Sequence, residues 1–199
     1  MRNYSQNNEQ DIILDYFGDF KGRFLDIGAY NGVDISNTRA LLELGWSGVL
    51  VEPNPFNLVD LIKNCREFGT RAKIYCAGAG GMSLNSELRI DETPGRGWAA
   101  SFNFDNPGVL RPSPASVIVP TLAVWEFFGG GYFDFISIDA EWRDEIILRS
   151  FSHKELGMCQ MLIIEPNDGL PGRERTREYL SEMGFRIHAE TPENIIAAR

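Results

Sequence analysis

Four acidic side chains close short apolar runs: Asp26 after RFL, Glu52 after GVLV, Asp139 after FDFISI and Glu165 after QMLII. A carboxylate in that position can hold a cation, accept hydrogen bonds from ligand hydroxyls, or take up a proton during a reaction. The glycines beside Asp26 narrow the choice. LDIGAYNG (25–32) places Gly28 and Gly32 in a D-x-G-x-x-x-G spacing, just before a helix opening near Asp34 to Ser36. Glycine permits backbone angles closed to other residues and lets a ligand approach the main chain. A dinucleotide fingerprint instead requires G-x-G-x-x-G, with the pyrophosphate on the helix N-terminus. Here Ala29, Tyr30 and Asn31 leave less room for a pyrophosphate, and Asp26 repels one. The loop suits a ligand carrying an ammonium or sulfonium charge; the plain alternative is a tight strand–helix turn that binds nothing. Glu52 lies twenty residues past Gly32, where a carboxylate can accept both hydroxyls of a ribose.

Two alternating patterns predict the elements that carry these residues. Runs at 23–28, 48–52, 72–77, 133–139 and 160–165 are nearly continuous in apolar character, as in strands covered on both faces. Stretches at 34–44, 56–66, 121–128, 143–151 and 173–183 are amphipathic at helical spacing, with stop glycines at Gly45, Gly69, Gly129 and Gly184. A further helix is expected from about Asn7 to Phe17, and FRIHA with NIIAA reads as a closing antiparallel hairpin. The expectation is a doubly wound α/β sheet with right-handed crossovers, in one domain spanning 1–199. The stretch at about 79–120 is too long for a plain connection and reads as a lid-like insertion, a partial hairpin with a mobile tip. It carries Trp98, Phe102 and Phe104 between Arg96 and Arg111; these aromatics either stack on a planar acceptor or anchor the loop to the core.

Composition excludes several classes. In 199 residues, 43% are hydrophobic and 24% charged, which is ordinary globular usage. Nineteen basic against twenty-eight acidic residues give a net charge of −9, which repels phosphate backbones and anionic lipid. Neither nucleic acid nor membrane is therefore expected as the main partner. Cys65, Cys76 and Cys159 are widely spaced and read as buried small residues in a reducing compartment. With a polar opening, MRNYSQNNEQ, and no long apolar run, a cytoplasmic location is expected. The run RERTRE (173–178) interleaves both charges and reads as a solvated helix face.

Five segments taken together are similar to the FkbM family of class I S-adenosylmethionine-dependent methyltransferases: YSQNNEQDIIL (4–14), FLDIGAYNGVDISNT (24–38), GWSGVLVEPNP (45–55), FDFISIDAE (133–141) and IIEPN (163–167). The resemblance implies a Rossmann-like seven-stranded sheet whose last strand is antiparallel. It implies that Asp26, Gly28, Ala29, Asn31 and Gly32 border the methionine part of S-adenosyl-L-methionine, and that Glu52 holds the ribose. Pro53 and Asn54 would flank the adenosine, with Ala77 and Gly78 near the adenine. Ser5 and Gln6, with Tyr4, would close over the methionine carboxylate. Asn37 and Thr38 would reach that carboxylate, unless Ser36 to Thr38 simply cap a helix.

Methyl transfer then needs a nucleophile aligned with methyl and sulfur, and a hydroxyl acceptor needs help losing its proton. His153 and His188 follow a helix and sit inside the terminal hairpin, places that suit surface or structural roles. The acidic cluster Asp139, Glu141 and Glu165 is the better candidate for catalysis. In one reading Asp139 or Glu141 is the general base; in another Asp139, Glu165 and Asn167 hold a hard divalent ion such as Mg²⁺. In a third these acids cap helices and pair with Arg143 or Arg149. The family resemblance departs at Trp142, where glycine is usual; the tryptophan either reshapes the acceptor pocket or offers a platform for a sugar ring. The expected activity is O-methylation of a hydroxyl on a small molecule or glycan. The alternatives are a non-catalytic S-adenosylmethionine-binding module partnering another enzyme, and a nicotinamide oxidoreductase.

Overall fold

The computed structural model describes residues 1–90, 100–102, 116–166 and 169–199. In chain order its first half comprises α1 (Glu9–Phe17), β1 (Arg23–Ile27), α2 (Arg39–Glu43), β2 (Ser47–Val51), α3 (Pro55–Cys65) and β3 (Ala72–Tyr75). A middle group follows: β4 (Gly78–Gly80), β5 (Leu84–Ile90), β6 (Ala100–Phe102) and β7 (Ser116–Ala123). The second half holds β8 (Phe135–Ile138), α4 (Asp144–Ser150), α5 (His153–Leu156), β9 (Met161–Ile164), α6 (Gly169–Glu182), β10 (Arg186–Glu190) and β11 (Ile195–Ala198).

Seven strands form one sheet in the order β10-β11-β9-β8-β1-β2-β3. Its core strands are parallel, and β11 runs antiparallel to both β9 and β10. The expected seven-stranded architecture with an antiparallel last strand is therefore present, closed by the terminal hairpin. Alternate residues feed two apolar layers. Leu25, Ile27, Ile136, Ile138, Leu162 and Ile164 pack with α4, α5 and α6, whereas Phe24, Leu50, Phe135 and Ile163 pack with α1, α2 and α3. Each fully buried Leu, Ile or Phe contributes roughly 1.5–3 kcal/mol, which explains why the strand runs carry no polar alternation.

Three elements differ from expectation. The predicted helix over 34–44 is helical only from Arg39. Asn31 Oδ1 accepts from Val33 N and Asp34 N, and Ser36 Oγ accepts from Thr38 N and Arg39 N, so side chains hold the backbone donors that a helix would use. The predicted helix over 121–128 is a strand as far as Ala123, then a 3₁₀ turn over Val124–Phe127. Val119, Thr121 and Ala123 are buried at a period of two, and β7 lies between β4 and β5. The insertion forms the expected antiparallel pair, β5 with β7, but within a second sheet that was not expected, in the order β4-β7-β5-β6. Its expected tip, with Arg96, Trp98, Phe104 and Arg111, lies outside the described residues.

Of the three cysteines, Cys65 and Cys159 are buried as expected, but Cys76 is exposed, because it lies just past the last paired residue of the edge strand β3. Arg173 is also not solvated. Its guanidinium donates to the carbonyls of Thr191, Pro192, Glu193 and Asn194 and to Glu190, stitching α6 to the β10–β11 turn. Arg173→Ala should lower unfolding stability by about 2 kcal/mol, and Arg173→Lys should recover little, since a fork is needed to span several carbonyls. Urea titration of the three proteins measures this, and equal stability would show the turn to be self-supporting. The same turn clasps the N-terminal helix: Thr191 Oγ1 and Asn194 Nδ2 both donate to the buried Glu9 at 2.9 Å.

Candidate functional site

Parallel register brings the strand-end acids to one level. Val51, Ile27, Ile138 and Ile164 are successive cross-strand partners. The next residues, Glu52, Gly28, Asp139 and Glu165, therefore form a row along the carboxyl edge, where open α/β sheets bind ligands. Main-chain bonds fix each position: Gly28 N and Ala29 N donate to Val51 O, Asp139 N to Ile27 O, and Glu165 N to Ile138 O. Gly28 has φ +89°, and a Cβ there would stand 1.6 Å from the carbonyl oxygen of Asp139. The bare backbone is what lets the two carboxyl-bearing strands approach so closely here.

Three adjoining recesses occupy this edge. The first encloses about 640 Å³ out to its mouth and is lined by Val51, Glu52, Pro53, Ala77, Gly78, Ala79 and Ile147, among others. The second, about 280 Å³, is polar, with Asp26, Ser36, Asn37 and Ser137 in its wall. The third, about 920 Å³, is bounded by Gln6, Asp34, Glu141 and Glu165. Tyr30, Ile35 and Asp139 line all three.

Glu52 is held ready for a ligand. Its Oε2 accepts from Tyr30 N at 2.9 Å and its Oε1 from Asn54 N at 2.8 Å, yet burial pushes its pKa up to about 7. Burial likewise raises Asp26 to about 6, against the opposing 2.5 Å hydrogen bond from Thr38 Oγ1. Asp139 is raised well above the usual carboxylate range, first by burial and then by the charges of Glu165, Asp144, Glu141 and Asp26. Glu165 is raised too, by burial and by Glu193, while its hydrogen bond with Asp139 opposes the shift. Such a bond between two carboxyl groups requires one proton between them.

The predicted site residues divide into two groups. Gln6, Asp26, Gly28, Ala29, Asn37, Glu52, Pro53, Ala77, Gly78, Asp139, Glu141 and Glu165 line the recesses. Thr38 and Asn54 are fully buried one layer behind, Thr38 bonded to Asp26 and Asn54 capping α3 through Phe56 N. Asn31 organises its own turn, and a Cβ on Gly32 would meet Leu61 of α3 at 2.7 Å, so Gly32 serves packing. Ser5 bonds within the N-terminal segment, to Asn3 and from Gln10 N. Of the acids, Asp144 acts as a cap, accepting from Ala140 N at 2.8 Å.

Sequence reasoning left Tyr30, Ile35 and Ser137 unassigned. Tyr30 and Ile35 adopt left-handed backbone, φ +49° and +52°, as do Glu141 and Trp142 at +46° and +75°. Such strain in non-glycine residues clusters at functional sites. Nothing in the residue types announces it, except at Trp142, which occupies a conformation natural to glycine. His153 and His188 are exposed, His188 resting edge-on against Tyr16.

Among the described residues no group of three His, Cys, Asp or Glu side chains is placed to hold a metal ion. Asn167, expected to hold a divalent ion with Asp139 and Glu165, lies outside the described residues. No helix among the described residues is long and apolar enough to cross a membrane.

The comparisons with known proteins agree with this geometry. No curated protein matches the sequence significantly. Among solved structures, a methyltransferase FkbM from Methylobacillus flagellatus KT matches with TM-score 0.63 and 15% identity, over 90% of this chain and 44% of that one. A putative RNA methyltransferase from Pyrococcus horikoshii matches with TM-score 0.55 and 14% identity, over 96% and 81% of the two chains. The B. subtilis tRNA methyltransferase TrmK gives 0.53 and 14%, over 98% and 67%. These likenesses establish a shared class I methyltransferase fold, and the chain spans less than half the length of the Methylobacillus protein. The profile of the Methyltransferase FkbM domain matches residues 26–187, from the acid that opens the glycine loop to the terminal hairpin. The chain belongs to the FkbM methyltransferase domain family.

Proposed function

We propose that the chain transfers the methyl group of S-adenosylmethionine to a hydroxyl oxygen of a small molecule or glycan. The observation that carries this reading is the row Glu52, Gly28, Asp139, Glu165, with a cleft lined by the first three and an adjoining acidic cavity lined by Asp139 and Glu165. S-adenosylmethionine supplies an electrophilic methyl group on a positively charged sulfur. Glu52 accepts the ribose hydroxyls, with Pro53, Ala77, Gly78 and Ile147 around the base. Asp26, Asn37 and Ser137 face the amino-acid end. On the acceptor side Glu165 takes the hydroxyl proton as the carbon–oxygen bond forms and the carbon–sulfur bond breaks. Asp139, hydrogen-bonded to Glu165, orients it. Acidic walls and a net charge of −9 argue against a nucleic-acid acceptor, although two of the structural neighbours are named for RNA or tRNA.

Calorimetric titration with S-adenosylhomocysteine tests the reading, and saturable one-to-one binding is the expected result. Glu165→Gln should keep that affinity within about threefold while methyl transfer in the producing system falls roughly 10²–10⁴-fold. Full transfer by Glu165→Gln would remove it as the base. Binding that persists while no acidic substitution affects transfer would instead identify a non-catalytic cofactor-binding module.

A further inference from the structure

The three recesses adjoin at Tyr30, Ile35 and Asp139, the residues common to all of their walls. A sulfonium sulfur likewise carries three substituents: in S-adenosylmethionine an adenosyl group, an amino-acid chain and the methyl group. The cleft with Glu52 suits the first. The polar recess with Asp26, Ser36, Asn37 and Ser137 suits the second. The acidic cavity with Gln6 and Glu165 lies where the third must leave. Each recess takes one substituent, so the charged sulfur falls at the junction.

The junction is built with some backbone cost. Tyr30 and Ile35 are both left-handed, a conformation disfavoured for bulky and β-branched residues. Each is held by its neighbours. Tyr30 N donates to Glu52 Oε2 at 2.9 Å. Ile35 is flanked by Asp34, which takes a 2.9 Å hydrogen bond from Asn31, and by Ser36, whose N donates to Tyr4 O at 3.0 Å. Of the three residues at the junction, Tyr30 alone offers a π face, which attracts a cation most strongly where water is excluded.

Resting on the methyltransferase reading above, we propose that Tyr30 is the sulfonium-binding residue of this site, its ring favouring the charged sulfur of S-adenosylmethionine over the neutral thioether of the product. Ile35 and Asp139 border the same junction. The consequence is product release helped by chemistry: once the methyl group leaves, the contact that held the cation is gone.

The test compares the dissociation constants of S-adenosylmethionine and S-adenosylhomocysteine, by calorimetry, for the unaltered chain, Tyr30→Phe and Tyr30→Leu. Removing the ring should weaken S-adenosylmethionine roughly 3- to 30-fold more than S-adenosylhomocysteine, the range expected for a partly desolvated cation–π contact. Tyr30→Phe should keep the original ratio within about twofold. Parallel weakening of both ligands by Tyr30→Leu, or a ratio lost equally in Tyr30→Phe, would overturn the proposal. Should Tyr30→Leu not fold, Tyr30→Asn replaces it, since asparagine tolerates left-handed backbone and has no ring. If the unaltered, folded chain binds neither ligand, it is the methyltransferase reading that fails.

Discussion

Gly28→Ala should abolish S-adenosylhomocysteine binding, raising its dissociation constant at least roughly 100-fold, and destabilise the protein by about 3–4 kcal/mol. The new methyl group meets main chain, not a side chain that can rotate aside: the Asp139 carbonyl oxygen at 1.6 Å and its carbon at 2.7 Å. That segment cannot yield alone, because Asp139 N is bonded to Ile27 O on the very strand that carries Gly28. Relief requires β1 and β8 to part at their carboxyl ends, which displaces Asp139 from the junction and breaks the bond from Asp139 N to Ile27 O. The positive φ of +89° adds its own strain for alanine. Titration of the variant, alongside its thermal unfolding, measures both effects. Binding within threefold of the original would mean that the β1–β8 crevice is not where the cofactor lies.

The second large effect concerns Glu52, where function and stability oppose each other. Its pKa is about 7 in the folded protein against 4.5 for the free side chain, so the folded state binds this proton more tightly than the unfolded state. Stability from this group is fully present below about pH 4.5 and is lost as pH rises towards 7, a fall of about 3 kcal/mol. Asp26, raised from 3.8 to about 6, slopes in the same direction over a lower window. Glu52→Gln cannot ionise. It should therefore flatten the decline between pH 4.5 and 7, while its amide nitrogen leaves Tyr30 N or Asn54 N without an acceptor. In the proposed site the same change removes charge-assisted bonds to the ribose and should weaken S-adenosylhomocysteine about 100-fold. Denaturant unfolding across pH, paired with titration at pH 8, decides the matter. A variant both less stable and equally tight would show that Glu52 is a structural acceptor for Tyr30 N and Asn54 N and nothing more.

Much of the architecture is legible because long apolar runs have few alternatives. The five parallel strands, their order of appearance and the closing hairpin follow from IIAA-like continuity and from left-handed stop glycines at Gly45 and Gly184. The strand-end acids could be placed on one edge because parallel pairing in register carries each strand's last residue to the same level. What escaped has equally specific causes. TLAVWEFF satisfies a helical period and an alternating one, and only pairing with β5 and β4 selects the strand. GAG at 78–80 offers no side-chain pattern at all, so β4 and the second sheet stayed hidden. Tyr30 and Ile35 owe their positions to backbone angles that residue type disfavours. Arg173 was lost among alternating charges, because its partners are main-chain carbonyls that no sequence pattern displays.

The clasp between Glu9 and the β10–β11 turn sets the order in which the molecule can be completed. Its partners are 182 and 185 residues away, and Glu9 is inaccessible to solvent once helix α1 has docked. Docked without Thr191 and Asn194, α1 would bury a carboxylate short of two donors, a cost of several kcal/mol. A growing chain therefore keeps α1 undocked until residue 194 has been added. The N-terminal segment that carries Gln6 to the third recess is then seated last, although it is made first.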